Sequence, residues 1–262
     1  MSQSQTNSET FRRELTRLLE NSNKTLAFTG AGVSTLCGIP DFRGTHGMYQ
    51  SQPDAERIFD LTWFHRDPSL YYRGCRDLIY GTSQIEPGPL HLALARLEEV
   101  GRLEAVITQN IDMLHQRAGS GTVIELHGSG RIHRCIRCGH QLGFDAILKM
   151  LETVEVPLCA CGAPYKPDIT FFGESLPEDA FRDAFDLASE CDLMLVLGTS
   201  LTVHPAASVP AIAKRHGAAI VIVNAQPTPL DSECNLRWYD LAEFAEFLMA
   251  IIETNKWATA RT

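Results

Sequence analysis

After residue 177 short apolar runs alternate with segments of helical period, and this rhythm restricts the fold more than any other feature of the chain. Leu193-Met-Leu-Val-Leu197 and Ala219-Ile-Val-Ile-Val223 are apolar at every position, as strands buried on both faces are. Around them, Pro177 opens a helix with Phe181, Ala184, Phe185 and Ala188 on one face, a second helix lies near Pro205–Arg215, and a last one starts near Asp240. The pattern is present earlier too. Phe11, Leu15, Leu18 and Leu19 mark a helix up to about Asn21, ahead of a strand at Thr25–Thr29. Leu92, Leu94 and Leu97 mark another before the strand Ala105–Thr108, and Val123–Leu126 reads as a further short strand. Such alternation predicts an α/β fold, a doubly wound, Rossmann-like parallel sheet with helices on both faces.

Residues 130–167 break the rhythm. Cys135-x-x-Cys138 is followed by Cys159-x-Cys161, and two thiolate pairs on tight turns can close a tetrahedral shell around one zinc ion. Four sulfurs leave no open position, so the zinc is expected to be structural. A redox CxxC is the competing reading, but no thioredoxin-like context surrounds it, and His133 or His140 can replace a ligand. The expected organisation is a sheet domain from 1–44, 91–129 and 168–262, and a small domain with helical segments and the zinc module from 45–90 and 130–167. The remaining cysteines, Cys37, Cys75, Cys191 and Cys234, read as small buried hydrophobes.

Charge and hydropathy narrow the partners. The net charge of −9, from 32 acidic and 23 basic residues, argues against direct nucleic-acid binding and suits a basic peptide as well as plain solubility. No apolar run reaches about 18 residues, and the polar MSQSQTNSET start lacks the apolar stretch of a secretory signal. A cytoplasmic protein without a membrane span is the expectation, its thiols kept reduced.

Gly30-Ala-Gly32-Val-Ser34 follows the first strand, where glycines let the backbone approach a pyrophosphate. Thr35 occupies the third position of the GxGxxG pattern and no acidic residue follows at a strand end about 20 residues on, which disfavours a hydride-transferring dehydrogenase. Asp41-Phe-Arg-Gly44 comes next, an arginine able to pair with phosphate beside an aromatic able to wall off water, or an ordinary loop ion pair with a core Phe. Gln109-Asn-Ile-Asp112 and Glu125-Leu-His-Gly128 end two strands, so both should face the crevice at the carboxyl ends of the sheet, with His127 as a candidate general base.

With these segments in hand, the chain resembles the sirtuins over roughly residues 10–250. The resemblance rests on the ordered set GAGVSTLCGIPDFRG (30–44), TQNIDMLHQRAG (108–119), ELHGS (125–129), the cysteine pairs, FFGE (171–174), GTSLTVHPAA (198–207) and VNAQPTP (223–229). It implies an NAD-consuming protein-lysine deacetylase that acts on an acetyl-lysine protein or peptide substrate, as a monomer. By the same resemblance Gly30, Ala31, Gly32, Ser34, Thr35, Asp41 and Arg43 hold the NAD phosphates and ribose, and Phe42 shields the reactive sugar carbon. Gln109, Asn110, Ile111 and Asp112 seat nicotinamide, and His127 is the catalytic histidine, with Asn110, Asp112 and Phe42 in supporting roles. Gly198, Thr199, Ser200, Asn224, Ala225 and Asp240 match the adenosine contacts. Phe171, Phe172, Gly173, Glu174 and Val203 match the loops that clamp the peptide as an added strand. Zinc is implied as a structural ion, NAD as a co-substrate. A mono-ADP-ribosyltransferase, and a desuccinylase or long-chain deacylase of the same family, are the alternatives. Members that prefer succinyl-lysine carry a Tyr-x-x-Arg pair; here Tyr72 and Arg76 are four apart and the residue three after Tyr71 is Gly74, so acetyl is the expected acyl group.

Overall fold

The structure, a computed structural model, describes residues 8–42, 47, 48, 55–255 and 257. In chain order its strands are β1 (Thr25–Thr29), β2 (Ala105–Thr108), β3 (Val123–Glu125), β4 (Gly128–Cys135), β5 (Gln141–Gly143), β6 (Tyr165–Ile169), β7 (Leu193–Leu197), β8 (Ala219–Val223) and β9 (Leu236–Trp238). Six of them form a parallel sheet in the order β3-β2-β1-β7-β8-β9, and β5-β4-β6 form a separate antiparallel sheet. The chain thus winds outward from β1 in one direction, then returns to add β7, β8 and β9 on the other side.

Alternation along the strands divides the large sheet's side chains between two cores. Ala27, Val106, Leu195, Leu197, Val221 and Val223 face one side, where they meet the apolar faces of helices Ser8–Asn21, Pro89–Glu99 and Leu241–Asn255. Leu26, Phe28, Ile107, Met194, Val196, Ile220 and Ile222 face the other, against helices Glu178–Glu190 and Ser208–Arg215. Each fully buried Leu, Ile or Phe contributes about 2 kcal/mol, so the central strands tolerate little polar substitution on either face.

Several expectations shift in detail. Pro177 lies just outside its helix as the cap residue, and Phe185 is exposed, because Ala184 and Ala188 bring the helix backbone close to the sheet. Leu92 is likewise exposed, whereas Leu90, Leu94 and Leu97 are buried. The helix placed near Pro205 begins at Ser208. The cysteine segment carries its own sheet, whose central strand starts at Gly128 and is covered by helix Phe144–Leu151. Aromatics from 59–80 complete this smaller core: Phe59, Phe64, Tyr71, Tyr72 and Tyr80 pack with Tyr165 and Phe171.

The sheet reverses its winding between β1 and β7, and there the loops beyond the two strands touch. Gly32 N donates to Gly198 O at 2.9 Å, and Gly30 N donates to Leu197 O at 3.0 Å. Gly198 has φ +61, and a Cβ on it would stand 2.6 Å from Val33 N. Only glycine combines that left-handed conformation with that approach. Gly198→Ala is therefore expected to destabilise the fold by about 2–4 kcal/mol, read as a lowered urea midpoint with unchanged slope.

Candidate active site and zinc-binding cluster

Ligands in doubly wound sheets bind beyond the carboxyl ends of the strands at the reversal point. Here that position is an open crevice of about 730 Å³, within the range of pockets that hold small molecules and cofactors. Gly30, Ala31, Gly32 and Thr35 border it from the loop after β1, Gln109, Asn110 and Ile111 from β2, and His127 from β3. Gly198, Thr199, Ser200 and Val203 border it from β7, Asn224 and Ala225 from β8. Asp41 and Phe42 and the segment Phe171, Phe172, Gly173 and Glu174 close its other side. No lysine or arginine is among the described residues that line it.

Ser34 and Asp112 lie instead in a small side pocket of about 50 Å³, which shares Ala31, Phe42, Asn110 and Ile111 with the crevice. Its polar wall is tightly tied: Ser34 Oγ donates to Asp112 Oδ2 at 2.6 Å, and Asn110 Nδ2 donates to Ser34 Oγ at 3.1 Å and to Gly30 O at 3.2 Å. Asp112 Oδ1 accepts from Leu114 N at 3.0 Å, across the left-handed Met113. Burial holds His91 and His115 below their ordinary pKa, and their rings meet edge to face at 4.7 Å behind this wall. Arg43 lies outside the described residues. Asp240 does not border the crevice; its carboxylate caps the last helix, accepting from Ala242 N at 2.8 Å and Glu243 N at 3.0 Å, and Leu241 beside it lines the crevice.

His127 sits where the chain passes from one sheet to the other. Leu126 N donates to Thr108 O at 2.9 Å, the last bond of the parallel sheet, and Thr170 N donates to His127 O at 2.8 Å from the end of β6. Gly128, φ +71, permits the crossing: a Cβ there would stand 2.2 Å from Asp168 O. The imidazole is half-buried, and this partial burial pushes its pKa below the ordinary value despite an opposing hydrogen bond to Gln109 O at 2.8 Å. A carbonyl only accepts, so Nδ1 carries the proton and the neutral ring keeps its lone pair on Nε2. A half-buried, neutral, oriented imidazole is the arrangement a general base needs.

The four cysteines converge. Their sulfurs lie within 4.8 Å of one another, with Cys135–Cys161 at 3.4 Å and Cys138–Cys159 at 3.5 Å. Sulfurs bound tetrahedrally to zinc at about 2.3 Å lie about 3.8 Å apart, so the donor set and its spacing fit zinc. The backbone N–H groups of Cys138 and Arg137 favour the thiolate form of Cys135. His133 and His140 are spent elsewhere, on the hydroxyls of Tyr80 at 2.8 Å and Tyr165 at 2.9 Å. Since β4 separates the cluster from His127 by roughly 20 Å, zinc there stabilises the fold and takes no part at the crevice.

Some crevice residues carry no motif. Phe59 packs edge to face on Phe42 with centroids 5.9 Å apart, and its carbonyl accepts from Phe172 N at 2.7 Å. Thr170, His204, Gln226 and Leu241 also line the crevice. Only their adjacency to the recognised segments pointed toward them.

The fold and site together define a Rossmann-type nucleotide-binding protein with a tetrathiolate metal module. Residues 30–205 match the family model described as the Sir2 family, and the chain belongs to that family, the sirtuins. It is 46% identical over 239 residues to an NAD-dependent protein deacetylase of Thermotoga maritima, covering 90% of this chain and 96% of that one. Among solved structures, it superposes with TM-score 0.88 at 44% identity on a Sir2 variant holding a deacetylated p53 peptide and 3′-O-acetyl ADP ribose, covering 94% and 99% of the two chains. With a Sir2–p53 peptide–NAD+ complex the TM-score is 0.84 at 43% identity, over the same shares.

Cys159→Ser is expected to reduce bound zinc from one per chain to a small fraction and to cost at least about 3 kcal/mol of stability, measured by elemental analysis and denaturant titration.

Proposed function

We propose that this chain is an NAD-dependent protein-lysine deacetylase. It transfers the acetyl group of an acetyl-lysine to ADP-ribose, yielding nicotinamide, O-acetyl-ADP-ribose and free lysine. The single observation that carries this reading is the placement of a half-buried, Nδ1-protonated His127 on the same crevice as the glycine turn after β1.

NAD supplies the electrophilic sugar carbon; the chain's own groups hold and shield the reactants. Ala31, Gly32 and Thr35 border the space for the phosphates, while Gly198–Ser200, Asn224 and Ala225 border that for the adenosine half. The side pocket walled by Asn110, Ile111 and Asp112 is the place for the nicotinamide amide. Phe42, packed on Phe59, covers the neighbouring region and keeps water away. The peptide adds as a strand between the Phe171–Glu174 segment and Val203, with Phe172, 45% exposed, available to contact it. His127 Nε2 accepts the proton of a ribose hydroxyl. No helix among the described residues is long and apolar enough to cross a membrane, and the unpaired cysteines suit a reducing, cytoplasmic setting.

The acetyl preference has its own structural support. Tyr72 Oη donates to Tyr165 O at 2.7 Å and Arg76 Nη2 to Leu151 O at 2.5 Å, so both are committed inside the small domain. Tyr71 is buried beside them. A succinyl carboxylate would enter a crevice whose described lining has no cation, a costly unpaired charge.

Mass spectrometry of an acetylated peptide with and without NAD tests the activity: acetyl should leave the peptide only with NAD, with O-acetyl-ADP-ribose appearing. ADP-ribose found on protein instead would mark a transferase. His127→Ala should lower kcat/KM by about 10²- to 10⁴-fold and leave zinc content unchanged. Because burial lowers the His127 pKa, its neutral form persists into acid, so the acid limb of kcat/KM should fall below pH 6.5. On matched peptides, kcat/KM for acetyl-lysine should exceed that for succinyl-lysine by at least about 100-fold.

A further inference from the structure

Lys166 lies on β6, beside the strand residue that pairs with a zinc-cluster cysteine: Tyr165 opposes Cys135 and Lys166 opposes Arg134. Its side chain is largely withdrawn from solvent. Nζ lies 2.8 Å from Glu174 Oε2, donates to Ile169 O at 2.8 Å and to Pro167 O at 3.3 Å, and stands 4.2 Å from the centroid of the Phe171 ring. Three N–H donors thus meet three oxygens, with an aromatic face alongside. The side chains of Lys166 and Glu174 are 12% and 28% exposed, so this ion pair is far less screened than those on the surface.

Glu174 does more than balance the charge. The same Oε2 accepts from Phe171 N at 2.8 Å, while Glu174 N donates to Phe171 O at 3.0 Å. The carboxylate therefore closes the turn Phe171–Glu174 upon itself, with Gly173 at φ +94, and Lys166 fixes the carboxylate. Phe171 is held inward by the turn and Phe172 outward toward the crevice. The His127 carbonyl is held separately, by Thr170 N.

We propose that Lys166 is a positioning residue for the peptide substrate, acting through Glu174 to set the turn that clamps it, and that β6 is the mechanical link between the zinc module and substrate binding. This rests on the clamp role given above to Phe171–Glu174. Without the ammonium, the half-buried carboxylate turns to water and releases Phe171 N, and the turn loses its fixed shape. Peptide affinity falls while the dinucleotide side and His127 are untouched.

Binding of a fluorescein-labelled acetyl-lysine peptide by anisotropy, with peptide KM, NAD KM, kcat and zinc content, tests this on wild type, Lys166→Met, Lys166→Arg, Glu174→Gln and the Lys166→Met/Glu174→Gln double variant. Lys166→Met and Glu174→Gln should each weaken peptide binding by about tenfold and raise peptide KM alike, with NAD KM and zinc unchanged. The double variant should bind no worse than either single one, because the two act as a unit, and Lys166→Arg should recover most of the affinity. If Lys166→Met does not fold, the isosteric Glu174→Gln carries the test alone. Peptide affinity unaltered in folded variants, or peptide and NAD parameters declining together, overturns the inference. Wild type failing to bind the acetylated peptide at all overturns the deacetylase reading as well, and so separates the two failures.

Discussion

The contact between the loops after β1 and β7 is the constraint on which the site depends. Gly30 and Gly32 lie against Gly198 so closely that side chains on any of the three would collide with backbone. The glycines thus serve the protein's own closure at least as much as any approach to phosphate. With these loops locked together, the two halves of the sheet present their carboxyl ends to one space.

A second junction, at His127, ties this imidazole to both sheets. The residue before it ends the parallel ladder, the residue after it opens the antiparallel one, and its carbonyl is bonded from β6. A base placed on a mobile loop would sample many orientations; here backbone bonds on both sides and the Gln109 carbonyl on the ring leave few. The partial burial that confines the imidazole also disfavours its charged form, so orientation and basicity have a common origin.

Much of this was legible in the amino-acid order. Apolar runs at Leu193–Leu197 and Ala219–Val223 became central strands because nothing but burial on both faces accommodates them. The cysteine spacing was equally direct, since ligand geometry is a local property of two turns. Where local pattern met tertiary packing, it erred: Phe185 has the period of a core residue, yet the alanines beside it take the close contact and leave it in water. Phe59 was invisible for the opposite reason, its role arising from what folds against it. Likewise, Ser34 and Asp112 belong to one linear set with the crevice residues but recede into a side pocket only in three dimensions.

The excursion that builds the antiparallel sheet leaves at Gly128 and comes back at Ile169, and these two residues are paired across neighbouring strands. Its exit and re-entry are therefore about 5 Å apart. A segment whose ends nearly coincide can lengthen, shorten or be replaced by another without stretching the scaffold that receives it. Divergence among related chains can thus accumulate in this cassette, while the histidine at its hinge stays where it is.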